Sequence, residues 1–352
     1  MIENSFLLSF LGFLLILAPL VFVHELGHYL AAIKSGVKVE VFSVGFGKEI
    51  FGFNDKNNTR WKFCVLPLGG YVKMQGEQLV HEKNLINRDG DFHKASLLKR
   101  FFIVFLGPLA NIMLGIVLFS FVFSYYGKIQ STPIVDNVSI NGPAYNAGLK
   151  KNDKIIQIDD QKIMSFYHLK NIVEKNSNKK LLFTVNRNAK TKTFIIIPKP
   201  FFDKKNNNFV GRIGISSKVD YSKREKLNMF EAIYYGFEYT INMTLNFIFY
   251  FFDFKFSKED VAGPVGIAKM SGKALTLGLE TFIKFAALIS INLGLINLFP
   301  IVPLDGGYIL LYAYELIFRK PMPSKYQFIL VKTGTLFLIS LMIFIITLDF
   351  IK

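Results

Sequence analysis

The feature that most constrains this chain is an apolar run at residues 5–23 without a single charged side chain. At about 1.5 Å per helical residue, such a run nearly crosses a hydrocarbon core of about 30 Å. Three more apolar runs follow, at residues 101–126, 275–299 and 328–350. With 51% hydrophobic residues and 38 Phe, the composition is typical of a membrane protein that also carries a soluble part. We therefore expect a polytopic α-helical protein with about four transmembrane helices.

Net charge and cysteine content exclude some classes of function and of metal site. The formal net charge is +16, but the lysines are spread over loops and no RNA- or DNA-binding motif accompanies them. Basic loops beside anionic lipid headgroups explain this positive charge more simply. The expected partner is therefore a lipid bilayer, and no nucleic acid is expected to bind. A cleaved signal peptide is the alternative for the first run, but no small-residue cleavage site follows it. The lone Cys64 excludes a cysteine-rich zinc site.

A His-Glu-x-x-His motif stands at the end of the first apolar run. His24 and His28 are four residues apart, so on a helix both imidazoles lie on one face and can reach one ion. Glu25 lies to the side of the pair, where it can take a proton from an attacking water as general base. Ionisable residues in an apolar span are costly and usually functional. Two histidines anchoring the helix at the headgroup level are the alternative, but that role needs no glutamate between them.

Zinc needs a third protein ligand and an open position. His81 and His93 lie in a polar loop, and His168 lies in the soluble stretch. The better candidate is Asp305, an acid in an otherwise apolar stretch just after the third run, where prolines break the helix. A helix N-cap is the alternative role for this Asp, and the two roles are compatible.

The soluble stretch, residues 129–217, alternates apolar and polar residues between Gly, Asn and Asp turns. This pattern predicts a small β-rich domain with one or two helices. Asp305 can reach the two histidines if one crossing separates it from that domain. The aromatic but polar-dotted segment Met229–Phe254 is therefore expected to lie at the membrane surface rather than to span. Basic loops then place the metal site towards the cytoplasm and the β-rich domain outside it.

Four segments together resemble the bacterial site-2 proteases, the family of the regulator-of-sigma-E protease. They are Val23–His28, the pair Phe42–Gly47 with Pro67–Met74, Gly107–Asn111, and Asn297–Gly307. The resemblance covers nearly the whole chain. It implies an intramembrane zinc (Zn2+) endopeptidase of regulated intramembrane proteolysis, with His24, His28 and Asp305 as ligands and Glu25 as catalytic acid/base.

The resemblance also implies substrate handling near the metal. It assigns that role to Asn297, and we extend it to Gly45, Gly47, Gly69, Gly70 and Pro300. The family places a membrane-associated β-hairpin over residues 37–74, whose strand edge would hold an unwound substrate extended. The family's second proline usually stands two residues after the first, whereas here Val302 holds that place and Pro303 follows.

The stretch Gly142–Ile155 resembles the signature of a PDZ domain, which offers a strand edge for a peptide tail. The substrates implied by the resemblance are single-span membrane proteins, such as anti-sigma factors or remnant signal peptides. An inactive zinc-binding receptor or scaffold, which recognises peptide tails through the PDZ-like domain, is the alternative function. The expected location is the bacterial inner membrane.

The expected domains follow in chain order. They are residues 1–34, the first transmembrane helix; 35–99, a cytoplasmic-side β region and loop; 100–127, the second transmembrane helix; 128–217, an inserted extracytoplasmic PDZ-like domain; 218–274, an interfacial amphipathic helix and linker; 275–307, the third transmembrane helix with the Asp motif; and 308–352, a loop and the fourth transmembrane helix.

Overall fold

The computed structural model describes residues 2–77, 88–163, 165–203, 208–252 and 262–351. Its helices and strands in chain order are α1 (Ile2–Lys34), β1 (Val39–Asn54), β2 (Arg60–Met74), α2 (Leu97–Tyr126), β3 (Lys128–Val138), α3 (Pro143–Asn146), β4 (Lys154–Ile158), β5 (Gln161–Lys162), α4 (Phe166–Lys175), β6 (Leu181–Arg187), β7 (Lys190–Ile196), β8 (Lys199–Asp203), β9 (Asn208–Arg212), β10 (Ile215–Glu225), α5 (Met229–Phe252), α6 (Pro264–Thr276), α7 (Leu279–Asn297), α8 (Asp305–Phe318) and α9 (Ser324–Ile351).

The chain divides into two compact units. The first combines Met1–Ser124 with Met229–Lys352, and the second is Tyr125–Asn228. Within the described residues of the first unit, four helices are long and apolar enough to cross a membrane, as the sequence predicts. They are α1 over Phe6–Lys34, α2, α7 and α9.

The third apolar run differs from its prediction. Residues 275–299 were expected to form one helix, but Thr276 ends α6 and Leu279 begins α7. Gly278 between them has a φ of 107°, which a residue with a side chain rarely adopts, so the helix cannot continue through it. Gly12 and Gly272 allow α6 to pack closely on α1, since a Cβ at either position would meet backbone of the other helix.

The helix α5 contacts α2 and the segment that follows α7. It packs against the last turns of α2, where Tyr239 contacts Phe119 and Gly236 lies against Ser120. Near its other end, Phe251 contacts Phe299, just beyond α7. Among the described helices, α5 is not one of those apolar enough to be a candidate span, so its place at the membrane surface stays a prediction.

The strands β1 and β2 form an antiparallel hairpin that packs on α1. Phe42 is fully buried and stacks on Trp61 with ring centroids 4.1 Å apart. At the hairpin turn, Asp55 accepts a hydrogen bond from Tyr29 Oη and one of 3.0 Å from Trp61 Nε1. It also accepts the backbone N–H groups of Asn57 and Thr59. One carboxylate therefore joins the turn of the hairpin to the helix that carries the histidines.

The second unit is a β-rich domain with its own core. Its described strands form a sheet in the order β10-β3-β4-β6-β7, in which β5 also pairs with β4, and a separate two-stranded hairpin, β8–β9. Both predicted helices are present as α3 and α4. The predicted end of the domain at residue 217 is too early, because β10 continues pairing with β3 as far as Glu225. The core includes Val135, Ile155, Phe183, Val185 and Ile196.

Candidate metal centre

Three side chains from distant parts of the first unit meet at one point. His24 Nε2 lies 3.2 Å from Asp305 Oδ2, and His28 Nε2 lies 3.5 Å from Asp305 Oδ1. The two histidine Nε2 atoms are 3.2 Å apart. All the donor atoms lie within 4.8 Å of one another, which is the spacing of ligands around one ion. The structure thus brings together the three residues that were predicted to be ligands.

The position of His28 depends on close packing between α1 and α2. Its Nδ1 donates to the carbonyl of Ile103 over 2.8 Å, which leaves Nε2 free for a metal. Gly107 faces this imidazole, and a Cβ there would clash with its Nε2 and Cε1 atoms. On α1, Gly27 lies against the carbonyl of Leu106, where a side chain would also not fit. Glycines on both helices therefore make room for the ligand.

His24 has a polar neighbour on α2. Nδ2 of the fully buried Asn111 side chain lies 3.4 Å from His24 Nδ1, and Oδ1 of the same amide has no hydrogen-bond partner among the described residues. Exchanging the oxygen and nitrogen of this amide would let Oδ1 accept the proton of Nδ1. His24 would then be fixed with Nε2 free for a metal, as in the outer shell of many zinc sites. Ser290 on α7 donates to the Asn111 carbonyl over 2.7 Å and ties the third helix to this point.

Asp305 is held by a tight loop between α7 and α8. Leu304 is the N-cap of α8, so Asp305 is its first residue rather than the cap that was the alternative. Gly306 packs against the carbonyl of Leu298, and Gly307 packs against the backbone of Val302. Burial would raise the pKa of the Asp305 carboxyl, but hydrogen bonds with His24 and His28 lower it to about 2. Both hydrogen bonds favour the ionised form of the carboxylate, which is the form that binds a metal.

Glu25 lines a cavity of about 500 Å³, and His24, His28 and Asp305 line the same cavity. Its carboxylate accepts the backbone N–H of Val72 in β2. Gly70, two residues earlier in β2, lies against the Glu25 side chain and the Ser43 carbonyl, and a Cβ there would meet both. The hairpin therefore passes directly beside the residue that was predicted to be the general base.

The structure separates the residues that were predicted to contact substrate. Gly70 and Asn297 line the cavity with the ligands. Pro300 lines a different, apolar pocket with Ile301, Gly334 and Phe337, so it faces away from the metal cluster. The other predicted substrate-binding residues lie in the hairpin without lining the cavity; they are Gly45, Gly47 and Gly69, all at positive φ.

Of the other histidines, the two that the structure describes lie outside the ligand cluster. His81 lies outside the described residues. His168 lies in α4 of the second unit. His93 lines the cavity, where its Nδ1 lies 3.2 Å from the carbonyl of Gly76.

Two residues of the site escaped prediction as functional side chains. Asn111 belongs to the segment Gly107–Asn111 that resembles the family, and its signal in the sequence is an amide inside an otherwise apolar span. Glu77 lines the cavity and accepts the backbone N–H of Met74 over 2.9 Å. Desolvation raises the pKa of the Glu77 carboxyl, while the Met74 bond lowers it.

The arrangement defines a class of protein. A helix carrying His-Glu-x-x-His with a distant carboxylate as third ligand is the site of a zinc metallopeptidase, and here the helix with the two histidines is long enough to span a membrane. Comparison with known proteins agrees. The model of Peptidase family M50 matches residues 12–341, and the chain belongs to this family, that of the site-2 proteases. It is a zinc metalloendopeptidase and a membrane protein.

Relatives of nearly equal length carry the same assignment. A Rickettsia conorii protein named as a zinc metalloprotease is 37% identical over 97% of this chain and 98% of its own. Similarly named proteins of Brucella suis and Campylobacter jejuni are 35% and 34% identical, covering 98% and 96% of this chain and 95% and 92% of their own. The solved PDZ domain of a Listeria monocytogenes SdrC-like protein matches 26% of this chain and 88% of its own, at 21% identity and a TM-score of 0.20.

Proposed function

We propose that the chain cleaves peptide bonds within the transmembrane segments of single-span membrane proteins, with zinc as its cofactor. One observation carries this proposal: His24 and His28 lie on α1, which is long enough to span a membrane, and Asp305 meets them from the first residue of α8, just beyond the candidate span α7. Two imidazoles and one carboxylate are a known ligand set of catalytic zinc, which keeps a fourth position open. A soluble substrate would not require the ligands to be carried by such apolar helices.

The residues around the cluster divide the work of hydrolysis. When bound, zinc would supply a Lewis acid that polarises the scissile carbonyl and lowers the pKa of water. Glu25 accepts the proton of the attacking water and delivers it to the leaving nitrogen. Asn111 and the Ile103 carbonyl orient the two imidazoles. Val72 N–H holds the Glu25 carboxylate at the cavity wall.

The hairpin β1–β2 supports recognition of an extended substrate. A transmembrane helix resists hydrolysis because its carbonyls are already hydrogen-bonded, so it must be unwound before cleavage. In the described residues the hairpin is a two-stranded sheet, and β2 passes beside Glu25 at Gly70. A substrate segment could add to its edge as a further strand. We assign Asn297, which lines the same cavity, to substrate handling as well.

The wider role follows from the family and remains part of the proposal. Substrates would be anti-sigma-factor-like proteins in regulated intramembrane proteolysis, and remnant signal peptides. The protein would lie in the bacterial inner membrane with the metal site towards the cytoplasm and the β-rich unit outside it. That unit would act as a PDZ-like domain for peptide tails.

The test compares wild type with Glu25→Gln, each reconstituted with a single-span membrane protein as substrate. Glu25→Gln should retain one zinc per chain and lose cleavage by at least about a thousandfold, because the base is gone but the ligands remain. Retained cleavage would overturn the mechanism. Less than stoichiometric zinc in wild type, unchanged in His24→Ala, would favour the scaffold. Membrane proteins that accumulate uncut in cells with the Gln variant would identify the substrates.

A further inference from the structure

The charge of this protein is concentrated in the second unit. Residues 125–228 contain 20 Lys and Arg against 8 Asp and Glu, which gives +12 of the total net charge of +16. The rest of the chain, although more than twice as long, carries the remaining +4. A field of this sign attracts anionic partners to the second unit.

One hairpin in this unit exposes large aromatic side chains. Strands β8 and β9 pair with each other, with Phe201 opposite Val210 and Phe202 opposite Phe209. Phe201, Phe202 and Phe209 are 45%, 42% and 68% exposed. Because side chains alternate along a strand, Phe202 and Phe209 share one face and Phe201 lies on the other. Each face of the hairpin therefore carries at least one exposed aromatic side chain.

The hairpin is held at its base. Gly211 packs against the carbonyl of Val173 in α4, and Asn178 N–H donates to the Pro198 carbonyl over 2.9 Å. Beyond this base, its described strands form a sheet of their own, and an isolated two-stranded hairpin is only marginally stable in water. Its aromatic residues would gain from burial against another surface.

Cationic side chains accompany the aromatic ones. Lys199 and Arg212, which are paired across the hairpin, are both exposed. The Arg212 guanidinium lies 3.5 Å from the centre of the Phe201 ring. Aromatic rings with adjacent Lys and Arg are typical of surfaces that enter the headgroup region of a bilayer, where rings reach the acyl boundary and cations meet phosphates.

We propose that the β8–β9 hairpin docks the second unit on an anionic phospholipid surface. Phe201, Phe202 and Phe209 would enter the interface, while Lys199 and Arg212 would contact lipid phosphates. Charge decides between lipid and a second copy of this chain, because two units with a net charge of +12 each repel one another. An acidic protein would satisfy the charge, but it would not need aromatic residues on both faces of a narrow hairpin. The consequence is a second membrane contact, separate from the transmembrane helices.

The experiment places a probe on the hairpin of the full-length protein. Phe209→Cys is labelled with an environment-sensitive fluorophore, and the protein is reconstituted in nanodiscs that contain brominated lipids. Tyr145→Cys, at a residue 51% exposed in the same unit, is the matched control. Unaltered protein, whose buried Cys64 is its only thiol, gives the background of labelling. We expect bromine to quench the probe at 209 at least twofold more than the probe at 145 when phosphatidylglycerol is present.

The same measurement separates the alternatives. Replacing phosphatidylglycerol by phosphatidylcholine, or introducing Lys199→Glu with Arg212→Glu, should remove the excess quenching at 209. Equal quenching at 209 and 145 would overturn the proposal. So would a probe at 209 that responds to an added acidic protein but not to brominated lipid. Peptidase activity is not part of the readout, so a failure here is distinct from a failure of the proposed proteolysis.

Discussion

Each unit of the molecule buries a cluster of ionisable side chains, and the two clusters are completed differently. In the second unit, buried Asp153 accepts 2.6 and 2.7 Å hydrogen bonds from Arg187, which also donates to the carbonyl of Gly148. That pair is complete within the chain. In the first unit, the donor atoms of His24, His28 and Asp305 all lie within 4.8 Å of one another. A carboxylate paired with a guanidinium stabilises a fold, whereas two imidazoles that converge with a carboxylate have the geometry of a metal-ligand set.

The two clusters also differ in how their parts are brought together. Asp153 and Arg187 lie in one small domain. Asp153 stands just before β4, and Arg187 is the last residue of β6, which pairs with β4. The proposed metal ligands come from α1 and α8, about 280 residues apart in the chain, and the position of His28 also depends on α2. There, Gly27 and Gly107 let α1 and α2 pack closely, and this packing holds the side chains in place instead of a bond between neighbouring strands. Substitutions that push these helices apart should therefore harm the metal site and leave the second unit intact.

The largest effect is expected for Gly107→Ala. The added methyl group would collide with the ligand atom of His28, and either the imidazole or α2 must move. We expect loss of bound zinc and a decrease in peptidase activity of more than about a hundredfold. Zinc per chain is measured by elemental analysis of purified protein. Gly115→Ala is the matched control on the same helix, because its methyl group would meet the Ile291 side chain, away from the ligands. Full zinc in Gly107→Ala would contradict the packing argument.

A smaller effect is expected for Asn111→Leu, which removes the polar neighbour of His24. Loss of an outer-shell partner typically lowers metal affinity about 10- to 100-fold. Competition with a chelator measures this affinity, and Asn111→Asp should restore most of it, since a carboxylate also accepts from Nδ1. Ser290→Ala, which loses only the bond to the Asn111 backbone, should leave it nearly unchanged. Equal affinities in the Leu variant and wild type would show that His24 is oriented by other contacts.

These sites show which features could be predicted from the sequence and which could not. The apolar runs, the His-Glu-x-x-His spacing and Asp305 follow from length, periodicity and the cost of a charge in an apolar segment. Gly107 and Asn111 belong to a segment that carries the resemblance, but their roles beside His28 and His24 could not be predicted, because these contacts exist only once α2 packs on α1. The contact between α5 and α2 could not be predicted for a similar reason, because it depends on side chains such as Phe119 and Tyr239 that meet only in the folded chain.

A still smaller effect is expected for Asp55→Ala, which should slow catalysis without loss of metal. It removes hydrogen bonds that join the hairpin turn to Tyr29 and Trp61, each contributing about 1 kcal/mol, while the ligands are untouched. We expect unchanged zinc and a roughly tenfold decrease in cleavage of a membrane-spanning substrate, because the β2 edge beside Glu25 is less well fixed. Asn54→Ala, the adjacent change, loses an exposed bond to Arg60 and is the control. Wild-type cleavage by Asp55→Ala would separate the hairpin from catalysis.

The smallest effect on the metal site is expected for Arg187→Ala, which tests the other side of the comparison. Asp153 would remain buried without its partner, at a cost of about 3–5 kcal/mol, and the cation–π contact with Phe194 would also be lost. Hydrogen exchange should show the second unit opening while zinc per chain stays at the wild-type level. Lys151→Ala, which breaks an exposed pair with Asp136, should change neither. If zinc were lost together with the fold of the second unit, the two clusters would not be independent, and the metal site would depend on a domain that contributes none of its ligands.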